Sequence, residues 1–426
     1  MANVDQRGST DQHDAFDAHA WVTADEACGM LGIKRGTLYA YASRGLVRSA
    51  PGEGRERRYR RDDLERLRAR SQARAGHAAV ASGALRWGEP VLDTAISGIG
   101  DDGPHYRGRS AVELARSGAR FEVVAEWLWA GRWDDDVRFE ARDLGIDVRR
   151  AARLVAQGAH PLDRLLAGVA LIGAAERGSR FDPGGEGTLV RARSLVRRLA
   201  ALLALAPGEE DRVDEALAAP TIAHAVAIGL GLRATKRAAS AIDRALVVMA
   251  DHELNASTFT ARVAAGAGAD LHACVLAALA TLTGPTHGGS CDRMEALLAE
   301  AREPEDAARI LADRRRRGDA LPGFGHPLYP SGDPRTPPLL EAAEELAPRS
   351  VVLRKVRAFT SAMSLAGGEP PTVDAALVAV AGALGAGPGS AAALMAIGRA
   401  AGWIAHAIEQ REAGFQLRPR ARYVSR

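Results

Sequence analysis

From about Leu85 to Arg426 the apolar residues recur at intervals of three and four, as in FEVVAEWLWAGRW and AARLVAQGAHPLDRLLAGVALIGAA. That spacing is the period of a helix with one buried face. Alternation with period two is scarce, so the pattern predicts an almost entirely helical body. No internal repeat at a fixed period stands out. The stretch Ala375–Gly398 is nearly uncharged, but GAGPG interrupts it, which predicts buried, packed helices and no membrane span.

A different grammar precedes this body. Residues 1–20 are polar and acidic with no apolar run, which predicts a disordered leader and no secretory signal. Residues 21–72 form a compact basic unit, and the small, weakly patterned stretch 73–84 reads as a linker. In the unit, Thr23 is placed to cap a helix with Glu26 as its box partner, and that helix ends near Gly32. A second helix starts near Lys34 and carries Thr37, Tyr39 and Tyr41 before Gly45. RSAPGEGRERRYRR then reads as a basic hairpin or wing, and Asp62 or Asp63 opens a last helix.

These fifty residues, RRYRRDDLERL above all, resemble the winged helix-turn-helix of MerR-type regulators and excisionases. The resemblance implies a second helix lying in the DNA major groove. Lys34, Arg35, Thr37, Tyr39, Arg57 and Arg58 would then touch phosphates or base edges. Charge agrees: Trp21–Gly76 holds 13 Lys/Arg against 7 Asp/Glu, although the whole chain carries only +3. The plainer alternative is a helical appendage with a solvated basic face. A single copy binds weakly, so DNA binding would need two copies on a dimer.

Composition sets further bounds. A chain of 426 residues suits two or three domains. Its 3 cysteines (Cys28, Cys274, Cys291) are widely spaced, with no CxxC pair. That argues against a disulfide framework or zinc site and suits a reducing cytoplasm.

The chemistry begins at GPTHGGSCDRMEALL. His287 sits between a Gly-Pro turn and a Gly-Gly pair, where a helical pattern starts. The positive end of a helix favours neutral imidazole, and a neutral imidazole donates a hydrogen bond to a developing oxyanion. Alone, the motif is equally a structural turn with a solvated histidine. Four other stretches supply partners: DHELNASTFTARV with His252, LPGFGHPLYPSGDPR with His326 and Arg335, PPTVDAAL with Asp374, and IGRAAGWIAHAIEQREAGFQLRPRARYVS with Arg399 and Arg418.

With LDTAISGI and YRGRSAVELA at the front, these stretches resemble the citrate synthase family, in order and at about its spacing, over roughly residues 85–426. The fold class this implies is an all-α, two-domain helical body behind a small winged helix-turn-helix. Its large domain would comprise 85–287 and 385–426, and its small domain 288–384 would close over the substrates. The implied activity is an acyltransferase reaction, acetyl-CoA plus oxaloacetate and water giving citrate and CoA. Asp374 would be the base, His287 would stabilise the enolate, and His326 would polarise the ketone. His252, Arg335 and Arg399 would hold oxaloacetate, with Arg418 reaching in from the second subunit of a dimer. No metal or redox cofactor is implied; acyl-CoA is a cosubstrate. His105, His272 and His406 read as structural.

The chain also departs from the family pattern. Members commonly carry Arg directly after the second histidine and Lys three residues later, where this chain has Pro327 and Pro330. Those basic residues help hold CoA phosphates. The run Arg314, Arg315, Arg316, Arg317 is the candidate replacement, against a solvated helix end. Ser290 and Cys291 stand where Ala-Asn is frequent. Cys291 has no evident base to make it a nucleophile. Two alternatives follow: a 2-methylcitrate synthase using propionyl-CoA, or a DNA-binding regulator whose synthase-like body senses oxaloacetate or acyl-CoA.

Overall fold

The computed structural model describes residues 21–52, 56–65, 67, 92–176, 185–419 and 423. The leader 1–20, the linker 73–84 and the wing tip 53–55 lie outside the described residues. The chain divides after Asp93 into two compact units.

The first unit contains β1 (Trp21–Val22), α1 (Ala24–Leu31), α2 (Arg35–Ser43), β2 (Ser49–Pro51) and β3 (Arg57–Arg60). Thr23 caps α1 with a full capping box: its hydroxyl accepts from Glu26 N–H at 3.3 Å, and Glu26 accepts from Thr23 N–H at 2.8 Å. Gly32 ends α1 with φ 63°, a left-handed conformation that glycine adopts without a Cβ penalty. The strands pair antiparallel in the order β1-β3-β2, with Ala50 opposite Arg58. Val22, Ala27, Leu38, Val47, Tyr59 and Leu64 form its core. The helix-turn-helix and the wing are both present.

The second unit is mostly helical. It opens with a small sheet, β4 (Ser97–Gly100), β5 (Gly103–Tyr106) and β6 (Arg109–Ser110). Strands of two to four residues are too short to show alternation, which is why periodicity passed over them. Then come α3 (Ala111–Arg116), α4 (Phe121–Ala130), α5 (Val148–Ala152), α6 (Pro161–Ala175), α7 (Glu186–Leu202) and α8 (Glu210–Ala218). The apolar run from Ala151 to Ala175 does not make one helix. Gly158 turns with φ 72° and Pro161 restarts the chain at the first position of α6.

Further on lie α9 (Ile222–Gly229), α10 (Lys236–Met249), α11 (Ala256–Gly266), α12 (Leu271–Leu282), α13 (Gly289–Glu300) and α14 (Ala307–Arg317). The last four are α15 (Thr336–Leu346), α16 (Val351–Leu365), α17 (Val373–Leu384) and α18 (Ser390–Ala413). Helix α18 packs on α4, α10, α11, α12, α13 and α17. By length and composition it is the one helix among the described residues able to cross a membrane, but 94% of its most apolar window is buried inside the protein. It is the core helix around which the site is assembled.

Candidate active site

Two glycines on one face of α18 allow the end of α10 to come close. A Cβ at Gly398 would stand 2.8 Å from Met249 Cβ, and one at Gly402 2.7 Å from the Ala250 carbonyl oxygen. Gly402 N–H donates to that carbonyl at 2.8 Å. This approach brings Asp251 and His252 beside Arg399. Ser97 Oγ donates to Asp251 Oδ2, which also accepts from Glu253 N–H at 3.1 Å and lies 3.3 Å from His406 Nε2. The Tyr106 hydroxyl bonds the Val247 and Val248 carbonyls, each at 3.0 Å. The small sheet thus fixes the α10–α11 connection through Ser97 and Tyr106. Glu253 adopts φ 55°, strained for a residue with a Cβ, and its N–H is held by both Ser97 and Asp251.

Arg399 is only 4% exposed, yet its Nε and Nη1 have no hydrogen-bond partner among the described residues. Leaving donors of a buried cation unmatched costs several kcal/mol. The site is therefore short of an anion. Burial presses the Arg399 pKa down, and the charge of Asp251 opposes it.

Arg335 is equally buried but differently supported. It forks onto Asp333, with Nε–Oδ1 at 2.9 Å and Nη2–Oδ2 at 2.8 Å. Asp333 Oδ2 also accepts from Val373 N–H at 3.1 Å. One carboxylate thus ties this arginine to the first turn of α17, where Asp374 sits. Burial works to raise the Asp333 pKa, but Arg335 and the N–H donors outweigh it and hold it below the usual range.

Three histidines complete the cluster. His252 Nε2 lies 2.8 Å from the Tyr329 hydroxyl, and the His326 ring stands 5.6 Å from that of His252 and 4.9 Å from that of Tyr329. His326 Nδ1 accepts from Leu328 N–H at 3.2 Å, so the neutral ring carries its proton on Nε2. Burial first, then Arg335, pushes His326 down to about 4. Burial first, then Arg399, pushes His287 down to about 4. His252 is also driven well below its ordinary value, by burial and then by Arg335 and Arg399. All three are neutral near pH 7. For His287 the cause is burial and a neighbouring cation rather than the helix end. Its Nε2 lies 2.8 Å from the Ser257 hydroxyl, which accepts from Trp403 Nε1–H at 3.1 Å.

Asp374 is not a helix cap; Thr372 holds the N-cap position and Asp374 lies in the first turn. Its Oδ2 accepts from the Thr372 hydroxyl at 3.0 Å, and its Oδ1 from the Cys291 thiol at 3.6 Å. Burial raises its pKa, against the pull of Thr372 and Arg335. A carboxylate so raised is a competent proton acceptor.

The remaining candidates lie elsewhere. Arg418 is exposed, past the segment where Leu417 runs by Gly266 of α11. Arg314 pairs with Glu300, Arg316 with Asp313 at 3.0 Å, and Arg317 with Asp319 at 2.8 Å. Arg315 donates to the Ala366 carbonyl at 3.1 Å. The four arginines serve the C-terminal end of α14, whose dipole favours cations, and each is engaged within the chain. In the first unit Lys34, Thr37 and Tyr39 are exposed, Arg35 is forked onto Asp25, and Arg57 reaches Ser49 Oγ at 3.5 Å. Arg58 is half-buried on β3.

Sequence reasoning missed Ser257, Asp251, Tyr329 and Asp333. The last two stand inside HPLYPSGDPR, three and seven residues after His326, so proximity to the histidine was their only signal.

The citrate synthase C-terminal domain family matches residues 84–420, and a helix-turn-helix domain family matches residues 21–72. The 2-methylcitrate synthase of Shewanella oneidensis is 29% identical over 359 residues, spanning 80% of this chain and 95% of that protein. The citrate synthase of Haloferax volcanii is 30% identical over 354 residues, spanning 78% and 93%. The citrate synthase of Thermoplasma acidophilum, solved as a ternary complex with carboxymethyl-coenzyme A and oxaloacetate, superposes with a TM-score of 0.70 at 25% identity, covering 81% of this chain and 96% of that one. The fold and these relatives define a helical acyltransferase of the condensing type. The chain belongs to the citrate synthase family.

Proposed function

We propose that this protein condenses an acyl-CoA with oxaloacetate and hydrolyses the resulting thioester, releasing CoA. Acetyl-CoA giving citrate is the first reading. The observation that carries it is Arg399, a buried guanidinium with two unmatched donors beside three neutral histidines. A dicarboxylate supplies the missing charge. In this reading Arg399, Arg335 and His252 hold oxaloacetate, and His326 Nε2–H donates to its ketone. Asp374 removes a proton from the acyl α-carbon, the electron pair runs into the thioester carbonyl, and His287 stabilises that oxygen. The enol carbon then attacks the ketone, and water cleaves the thioester.

Propionyl-CoA giving 2-methylcitrate is the alternative, and the Shewanella oneidensis relative favours it. The reading further includes a small domain at about 288–384 that closes on the larger one, a homodimer in which Arg418 reaches the partner's site, and a cytoplasmic location. CoA phosphates would meet the α14 arginines through Arg315, which has no carboxylate partner among the described residues.

A second activity is favoured by the exposed Lys34 at the N-cap of α2, and Thr37 and Tyr39 on it, beside an antiparallel basic wing. That arrangement suits a DNA groove, with the synthase-like body either catalysing or sensing. The test is CoA release with oxaloacetate and acetyl-CoA or propionyl-CoA, with Asp374→Ala as control. Asp374→Ala should lower turnover by about 10²- to 10⁴-fold and leave oxaloacetate binding largely intact. Retained turnover removes Asp374 as the base. No turnover by the unmodified protein, with oxaloacetate still bound, moves the reading to a sensor.

A further inference from the structure

The base and the histidine proposed to stabilise the enolate are linked through one short segment. His287 lies in the turn before α13, where Gly289 N–H bonds the Gly284 carbonyl at 3.2 Å and Cys291 N–H bonds the Gly288 carbonyl at 3.2 Å. Cys291 follows one turn later, fully buried, with its thiol 3.6 Å from Asp374 Oδ1. Burial and the adjacent Asp374 charge push the Cys291 thiol far up, so it is a protonated donor and no nucleophile.

The two oxygens of Asp374 are thus capped unequally. Thr372 gives Oδ2 a hydroxyl bond at 3.0 Å, whereas Oδ1 receives only a thiol. A thiol is a weak donor and withdraws little electron density. Oδ1 keeps the more available lone pair.

We propose that Cys291 is a positioning residue, whose S–H aims Asp374 Oδ1 at the acyl α-carbon and selects that oxygen as the proton acceptor. When the α C–H bond breaks, its proton goes to Oδ1 and its electron pair enters the thioester carbonyl. The thiol keeps its own proton throughout. This rests on Asp374 being the base. It also gives the unusual Cys291 a use that neither packing alone nor covalent catalysis supplies.

Two measurements test it. The first is the pH dependence of kcat/KM for acyl-CoA at saturating oxaloacetate, in Cys291→Ala and Cys291→Ser. Cys291→Ala removes a donor from the carboxylate, so the acid limb should move up by about 0.5–1 pH unit. Oxaloacetate KM should stay within about 2-fold, because the thiol touches neither substrate arginine. Cys291→Ser puts a stronger, hydroxyl donor in the thiol's place and should bring the limb back to its original position or slightly below it. The second is the infrared S–H stretch, assigned to Cys291 by its loss in Cys291→Ala. It should rise in frequency in Asp374→Ala, where the acceptor is gone. An unmoved acid limb with a uniform loss of rate, or an S–H band indifferent to Asp374, overturns the proposal. Turnover retained by Asp374→Ala would instead overturn the base assignment, so the two failures are distinguishable.

Discussion

The Ser257 hydroxyl lies 2.8 Å from His287 Nε2, and its single proton has a competing acceptor in Asn255 Oδ1 at 2.7 Å. The Asn255 amide is oriented by Thr258, whose N–H donates to Oδ1 at 3.2 Å. The site therefore holds two arrangements. When the Ser257 O–H donates to Asn255 Oδ1, His287 donates from Nε2 to the serine oxygen and its Nδ1 is bare. When the Ser257 O–H donates to His287 Nε2, the ring keeps its hydrogen on Nδ1, free to serve an oxyanion. Ser257→Ala removes this control of the tautomer. Turnover should fall by about 100-fold, with oxaloacetate KM nearly unchanged. Steady-state kinetics check this; an equal loss in binding and turnover would make Ser257 a packing residue.

Arg399 gives a prediction about the protein without substrate. Its Nε and Nη1 have no partner among the described residues, which is costly for a buried cation without a bound anion. Arg399→Met should therefore hold or raise the thermal midpoint of the ligand-free protein. Oxaloacetate should raise the midpoint of the unmodified protein, because a ligand that binds only the folded state stabilises it. The variant should lose that response. A variant that melts much earlier when empty would show that Arg399 supports the fold.

Motifs were legible where glycine and proline bracket a functional side chain, as around His287 and His326. Those residues impose local geometry that the sequence displays directly. What escaped was tertiary. Ser257 is on α11, Trp403 on α18 and His287 before α13; nothing in their spacing announces that one hydroxyl joins them. His406 reads as structural and is buried, yet it lies 3.3 Å from Asp251, the carboxylate beside Arg399. The arginine run is the opposite case. Four adjacent like charges read as free charge, but Asp313 and Asp319 pair locally with Arg316 and Arg317, and Glu300 comes to Arg314 only once α13 and α14 are packed.

Acid should destabilise the protein through its histidines. His287 and His326 are each pushed down to about 4, against about 6.5 in the unfolded chain. Between those values the unfolded state binds protons that the folded state refuses. Stability is therefore complete above about pH 6.5 and is lost as pH falls towards 4, by up to about 3 kcal/mol for His287 and by less for His326, whose more exposed ring is screened by water. Denaturant unfolding across this range checks it. His287→Gln should flatten the fall by its own share; an unchanged slope would mean that His287 titrates normally.

The wing supplies the last prediction. Arg57 and Arg58 lie on β3, paired to β2, with Arg57 exposed. Arg35, by contrast, is already forked onto Asp25, with Nε–Oδ1 at 2.9 Å. Phosphate contacts release counterions, so each one contributes about 0.9 to the slope of log affinity against log salt. Replacing Arg57 and Arg58 by Ala should weaken DNA binding and make that slope shallower by about 1 to 2. Arg35→Ala should cost less, since its charge is partly spent on Asp25. Fluorescence anisotropy with duplex DNA at several salt concentrations separates the two. An unchanged slope in the double variant would mean that the wing does not face the phosphates, leaving α2 to carry any DNA contact.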